Sequence, residues 1–144
     1  MYTHILVAVE HSPADATILA HAQSLAKLVG CRVTLVHVAD GWAARNYDAL
    51  ALRESEEIKD DRAYLERLVL EIRSNGIQAD SMLAKGDPAT EILRVADEEQ
   101  VDLIAMATHG HRFIADVLKG ATADRVRHLA RVPVLMIRHQ VPGK

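Results

Sequence analysis

Apolar positions along the chain keep two alternating rhythms. Residues 4–9 (HILVAV), 32–38 (RVTLVHV), 101–107 (VDLIAMA) and 133–138 (PVLMIR) are short, nearly unbroken apolar runs rich in β-branched residues, as expected of strands buried on both faces. Residues 77–84 read as a further strand with weaker alternation. Between these runs the spacing changes to 3.6. Ile18, Leu19, Ala22, Leu25, Ala26 and Val29 form one stripe, predicting a helix that Ser12 caps, Pro13 opens and Gly30 stops. Ile58, Leu65, Leu68, Val69 and Ile72 form a second, on a helix from about 48 to 75 whose other face is charged. Asp87 and Pro88 start a third, with Ala89, Ile92, Leu93 and Ala96 inward. A last helix is expected from about Ala121 to Ala130, after a glycine-containing loop over 108–120.

Strands alternating with helices predict parallel strands joined by right-handed crossovers, with helices on both faces. The fold class is therefore α/β, a doubly wound five-stranded parallel sheet. Ligands of such sheets sit beyond the carboxyl ends of the strands, where the strand order reverses. The loops after the first, second and fourth strands are the ones to inspect.

At 144 residues the length suits one domain spanning 1–144. Net charge is −3 and only five residues are aromatic, which argues against nucleic acid as a partner. No apolar run is long enough for a membrane span. The first ten residues lack the pattern of a secretory leader, and the single cysteine, Cys31, closes no intrachain disulfide. The expected setting is cytoplasmic. Charge is uneven: residues 1–108 carry a net −8, and 109–144 a net +5. A basic final quarter suits either an anion or an ordinary solvated helix surface.

Gly110 follows the fourth strand and Gly120 precedes the expected last helix. Glycine at a strand exit lets backbone amides approach a phosphate, and amides at a helix start attract anions. Parallel-sheet loops also use glycine simply to turn, so both uses stand open here. No GxxxxGK[ST] run occurs. Eight histidines include no spacing that gathers three or four metal ligands. Ser12, Ser24 and Cys31 lack partners for nucleophilic catalysis. Glu10, Asp15 and Asp40 are a possible phospho-acceptor set without the further aspartate and lysine such a set needs. No metal and no catalytic residue is expected.

The whole pattern resembles the universal stress protein family. The likeness rests on ILVAVEHS before an amphipathic helix, LVHV closing the second strand, Gly86-Asp87-Pro88, VDLIAMATHG, and KGATADRVRHLARVPVLMIR, in that order. It implies the flavodoxin-like, adenine nucleotide alpha hydrolase-like strand order 3-2-1-4-5, and a site for ATP or another adenine nucleotide, with or without magnesium. Nucleotide-binding members carry glycine, two residues, glycine, nine residues, glycine and a hydroxyl residue. Gly110 and Gly120 match the second and third glycines, whereas Ala107 replaces the first and Ala121 the hydroxyl residue. Thr122 is one residue on, about 100° around a helix. By the same resemblance Glu10 stands near base and ribose, Val38 flanks adenine and Met106 lines the pocket. For Val38 and Met106 core packing is the alternative, and for Glu10 a solvated strand end. Arg112, Lys119 and Arg125 are the charges within reach of a phosphate.

The resemblance further implies a homodimer through the last strand, between Pro133 and Arg138, and an unidentified protein partner. The expectation is a nucleotide-binding sensor or switch. Two alternatives stand beside it: a dimeric interaction module that binds no nucleotide, and a slow ATPase.

Overall fold

Strands and helices alternate throughout the computed structural model, which describes the backbone of residues 1–40, 47–108 and 114–139, and side chains there except at 40, 47–55 and 114–119. The order is β1 (His4–Ala8), α1 (Ala14–Val29), β2 (Arg32–Asp40), α2 (Tyr47–Ser74), β3 (Ala79–Gly86), α3 (Pro88–Glu98), β4 (Leu103–Thr108), α4 (Ile114–Leu129) and β5 (Val134–Arg138). All pairings are parallel, in the sheet order β3-β2-β1-β4-β5, the order implied above.

Two-residue alternation along each strand divides the core between two faces. Ile5, Val7 and Leu35 pack with Ile18 of α1 and with Leu65 and Ile72 of α2. Leu6, Val36 and Ile104 pack with Ile92 and Val95 of α3 and Val126 of α4. Most of these side chains are fully buried. At that depth, trimming an isoleucine or leucine to alanine costs about 2–5 kcal/mol.

Three boundaries differ from the sequence reading, each for a physical reason. β3 begins at Ala79, because Ile77 closes α2: Gly76 adopts φ +83° and the Ile77 amide bonds back to the Ile72 carbonyl at 3.3 Å. Its buried side chain is the apolar contact that accompanies such a helix end. α1 begins at Ala14, with Pro13 rather than Ser12 at its boundary: Pro13 has no capping side chain, so Ser12 Oγ accepts the Ala14 amide at 3.3 Å from one residue further out. The largest shift is in α4. It starts at Ile114, so Gly120 and Ala121 lie inside the helix instead of ahead of it. The stretch IADVLK before Gly120 contains no proline, and a single interior glycine costs a helix only about 1 kcal/mol. Continuation is favoured over a stop.

Candidate functional site

The sheet order reverses at β1, with β2 on one side and β4 on the other. Beyond the carboxyl ends of these three strands lies a cavity of about 200 Å³. Its apolar walls are Ala8, Val36, Val38 and Met106 from the strands and Ile92 from α3, an outward extension of the α3–α4 core. Its polar lining residues are Glu10, just past β1, His37 of β2 and Thr122 on α4. Ala107 closes the β4 side. At this size the cavity falls below the roughly 300–1,000 Å³ typical of pockets for whole small molecules.

Glu10, Val38, Met106, Ala107 and Thr122 are thus brought together, as the sequence placed them. Gly110 and Arg112 lie outside the described residues. Gly120 and Ala121 are exposed on α4 and do not line the cavity. The amides of 120–122 are interior helix amides, which bond to carbonyls four residues back. They form no helix-start cradle for an anion, and that expectation is corrected here. Arg125 is also committed elsewhere: its Nη1 donates to Asp87 Oδ2 at 2.7 Å.

Asp87 caps α3 as its sequence predicts, with Pro88 next to it. Its Oδ2 accepts the Thr90 amide at 3.0 Å and the Thr90 hydroxyl at 2.6 Å. These bonds to Thr90, followed by Arg125, hold its carboxyl below the usual carboxylate range. The N-terminus of α3 therefore carries a negative charge partly offset by one guanidinium.

The end of β1 is built with greater care. Ser12 Oγ donates to Glu10 Oε2 at 2.8 Å, restraining the carboxylate that reaches the cavity. Beneath it, Asp15 is only 1% exposed and accepts three consecutive backbone amides: Glu10 at 2.8 Å, His11 at 2.9 Å and Ser12 at 3.3 Å. The Tyr64 hydroxyl of α2 donates to the same carboxylate. Asp15 is therefore fully engaged in structure, which removes it from the phospho-acceptor set considered above. His11 adopts φ +63°, uncommon outside glycine. Its ring stacks on Tyr64 with centroids 4.0 Å apart, and its Nδ1 meets Asp61 Oδ1 at 2.7 Å.

Sequence reasoning missed Asp15, Asp61 and Tyr64 as supports of this loop. One local signal existed: Ser12-x-x-Asp15 has the spacing of a capping box, whose acid reaches back to preceding amides. Asp61 and Tyr64 gave none, because their partners are some fifty residues away. His37 also lines the cavity, with its Nδ1 at 3.0 Å from the Val9 carbonyl and its Nε2 at 3.3 Å from Asp61. A carbonyl only accepts, so Nδ1 carries the proton. Among the described residues no group of three or more His, Cys, Asp or Glu is arranged to hold a metal, and no helix is long and apolar enough to cross a membrane. Cys31 lies at the opposite, amino end of β2, where burial raises its thiol.

Residues 1–138 match the model of the Universal stress protein family. Universal stress protein C of Salmonella typhimurium is 31% identical, covering 94% of this chain and 95% of its own. A universal stress protein family member from Burkholderia pseudomallei is similar in structure, with a TM-score of 0.76, 29% identity, and 94% and 96% of the two chains covered. A universal stress protein from Archaeoglobus fulgidus, solved in complex with dAMP, gives a TM-score of 0.71 at 28% identity, covering 94% and 98%.

Proposed function

The chain belongs to the universal stress protein family, and from that premise we propose that it binds an adenine nucleotide through base and ribose at the ends of β1, β2 and β4. The observation that carries this reading is the cavity at the strand-order reversal, apolar on its flat walls and bearing Glu10 and Thr122. Val38 and Met106 offer adenine an apolar slot, and the Glu10 carboxylate accepts from ribose hydroxyls or the adenine amine. The relative solved with dAMP supports the ligand class. Because the amides of 120–122 are internal to α4, the phosphates gain nothing from them. The proposed role is a sensor or switch that binds without efficient turnover, any ATP hydrolysis being slow.

A thermal-shift and equilibrium-dialysis series with AMP, ADP and ATP, each with and without magnesium, tests this. Saturable binding of all three is expected, and none of GMP at the same concentrations. No saturable signal at millimolar adenine nucleotide rejects the reading.

One observation favours a second reading, an interaction module that binds no nucleotide: Ala107, Ala121 and the uninterrupted α4 together dismantle much of the phosphate motif. Dimerisation is proposed under both readings. β5 pairs only with β4 among the described strands. Val134 to Ile137 are all half-buried, Leu135 and Ile137 packing toward one core and Val134 and Met136 toward the other. An edge this apolar needs cover. Sedimentation at micromolar concentration is expected to give twice the 15.9 kDa chain mass, and a monomer there overturns the proposal.

A further inference from the structure

No described residue of α2 lines the cavity, yet α2 grips the segment that carries Glu10. Asp61 and Tyr64 are three residues apart and so share one face of the helix. Tyr64 reaches the Asp15 carboxylate, which in turn holds the amides of Glu10, His11 and Ser12. Asp61 Oδ1 also meets the ring of His11 at 2.7 Å. Three successive residues just past β1, Glu10, His11 and Ser12, are therefore tethered, directly or through one intermediary, to one turn of α2.

Within this arrangement the Tyr64 hydroxyl is distinctive. A buried carboxylate needs its lone pairs satisfied. Of the four donors that Asp15 is given, three are amides of the loop itself, and Tyr64 is the one that comes from another element. Burial, and then the bond to Asp15, raise the phenol well above its ordinary value, so it stays protonated and keeps donating. It links α2 to the segment just past β1 that lines the cavity.

Resting on the nucleotide reading, we propose that Tyr64 is a positioning residue for Glu10, acting through Asp15, so that ligand binding in the cavity and the seating of α2 are coupled. Coupling of this kind is reciprocal: a ligand held by Glu10 tightens α2, and loosening α2 weakens the ligand. The ligand class addressed is a ribonucleotide whose sugar or base donates to a carboxylate.

The test is a double-mutant cycle with AMP as probe and calorimetry as readout, using the full chain, Tyr64→Phe, Glu10→Gln and the double variant. Tyr64→Phe keeps the ring stacked on His11 and deletes only the hydroxyl. It is expected to weaken AMP binding about three- to tenfold, the range of one lost hydrogen bond, in the presence of Glu10. In the Glu10→Gln background it is expected to change binding less than about twofold. Equal losses in both backgrounds overturn the proposal, because a general loss of structure would act on both alike. Amide hydrogen exchange on the free proteins supplies a second, ligand-independent arm. Tyr64→Phe is expected to speed exchange at Glu10, His11 and Ser12 several-fold while leaving α3 unchanged. Should the unaltered protein bind no AMP, the nucleotide reading fails, and this arm alone decides: faster exchange confined to the loop upholds positioning of Glu10 by Tyr64, and unchanged exchange overturns it.

Discussion

Arg125 of α4 and Asp87, the residue that caps α3, are joined by a 2.7 Å ion pair between the two helices. Both side chains are half exposed, so the pair itself contributes little. The cap contributes more. Asp87→Ala is expected to lower the unfolding free energy by about 1 kcal/mol, the usual effect of a lost helix cap, measured by urea unfolding at neutral pH. The bonds to Thr90, then Arg125, depress the folded-state value of this carboxyl. Its stabilisation is therefore present above the unfolded value, about 3.9, and is lost as pH falls through the lower folded value. The gap between the two proteins should close in that acidic window, and a gap constant down to pH 2 would show that the carboxylate is not responsible.

Gly120 separates two accounts of the last helix. It has no positive φ, and a Cβ added there meets nothing within 4 Å. Gly120→Ala is expected to raise stability by up to about 1 kcal/mol and to leave adenine nucleotide affinity within twofold. A phosphate cradle at 120–122 would give the reverse, a sharp loss of affinity on adding the methyl group. Paired thermal melts and AMP and ATP titrations decide between them.

Filling the slot should abolish binding without unfolding the chain. Val38 is half-buried and lines the cavity at the end of β2. Val38→Trp is expected to reduce AMP affinity at least about tenfold, a loss of roughly 1.4 kcal/mol, with helix content by circular dichroism unchanged. Unaltered affinity would place the nucleotide elsewhere.

His4 predicts a second pH effect, far from the cavity. It is 2% exposed, its Nε2 lies 2.6 Å from the Thr34 hydroxyl, and its Nδ1 has no described partner. Burial, and then the charge of Arg32, lower it from 6.5. Between the folded and unfolded values the unfolded chain binds a proton that the folded one does not, so stability there rises with pH. On acidification the loss begins near 6.5 and levels off below the folded value, at up to about 1.4 kcal/mol per pH unit between the two. His4→Phe should remove this part of the pH profile, and identical profiles for the two proteins would sink the assignment.

Periodicity carried most of the fold. The strand-forming runs, the stripes of α1, α2 and α3, and the Asp87–Pro88 cap depend on neighbours within a few residues, and each emerged close to its expected place. Glu10, Val38, Met106 and Ala107 were legible as neighbours because strand ends at a reversal converge regardless of side chain; the family resemblance picked them out, together with Thr122 of α4, as a candidate site. Gly120 misled, since a glycine stops a helix only where the backbone turns left-handed, and here it does not. The Asp15–Tyr64 and His11–Asp61–His37 contacts were illegible, being fixed by how α1 and α2 lie on the sheet and not by any local spacing.

His11 gives the loop a further property. An L-residue in the left-handed region costs about 1–2 kcal/mol, and the stack on Tyr64 and the bond to Asp61 keep it there before any guest arrives. A molecule entering beside Glu10 consequently meets a shape already set, and gives up none of its own interaction energy to create it.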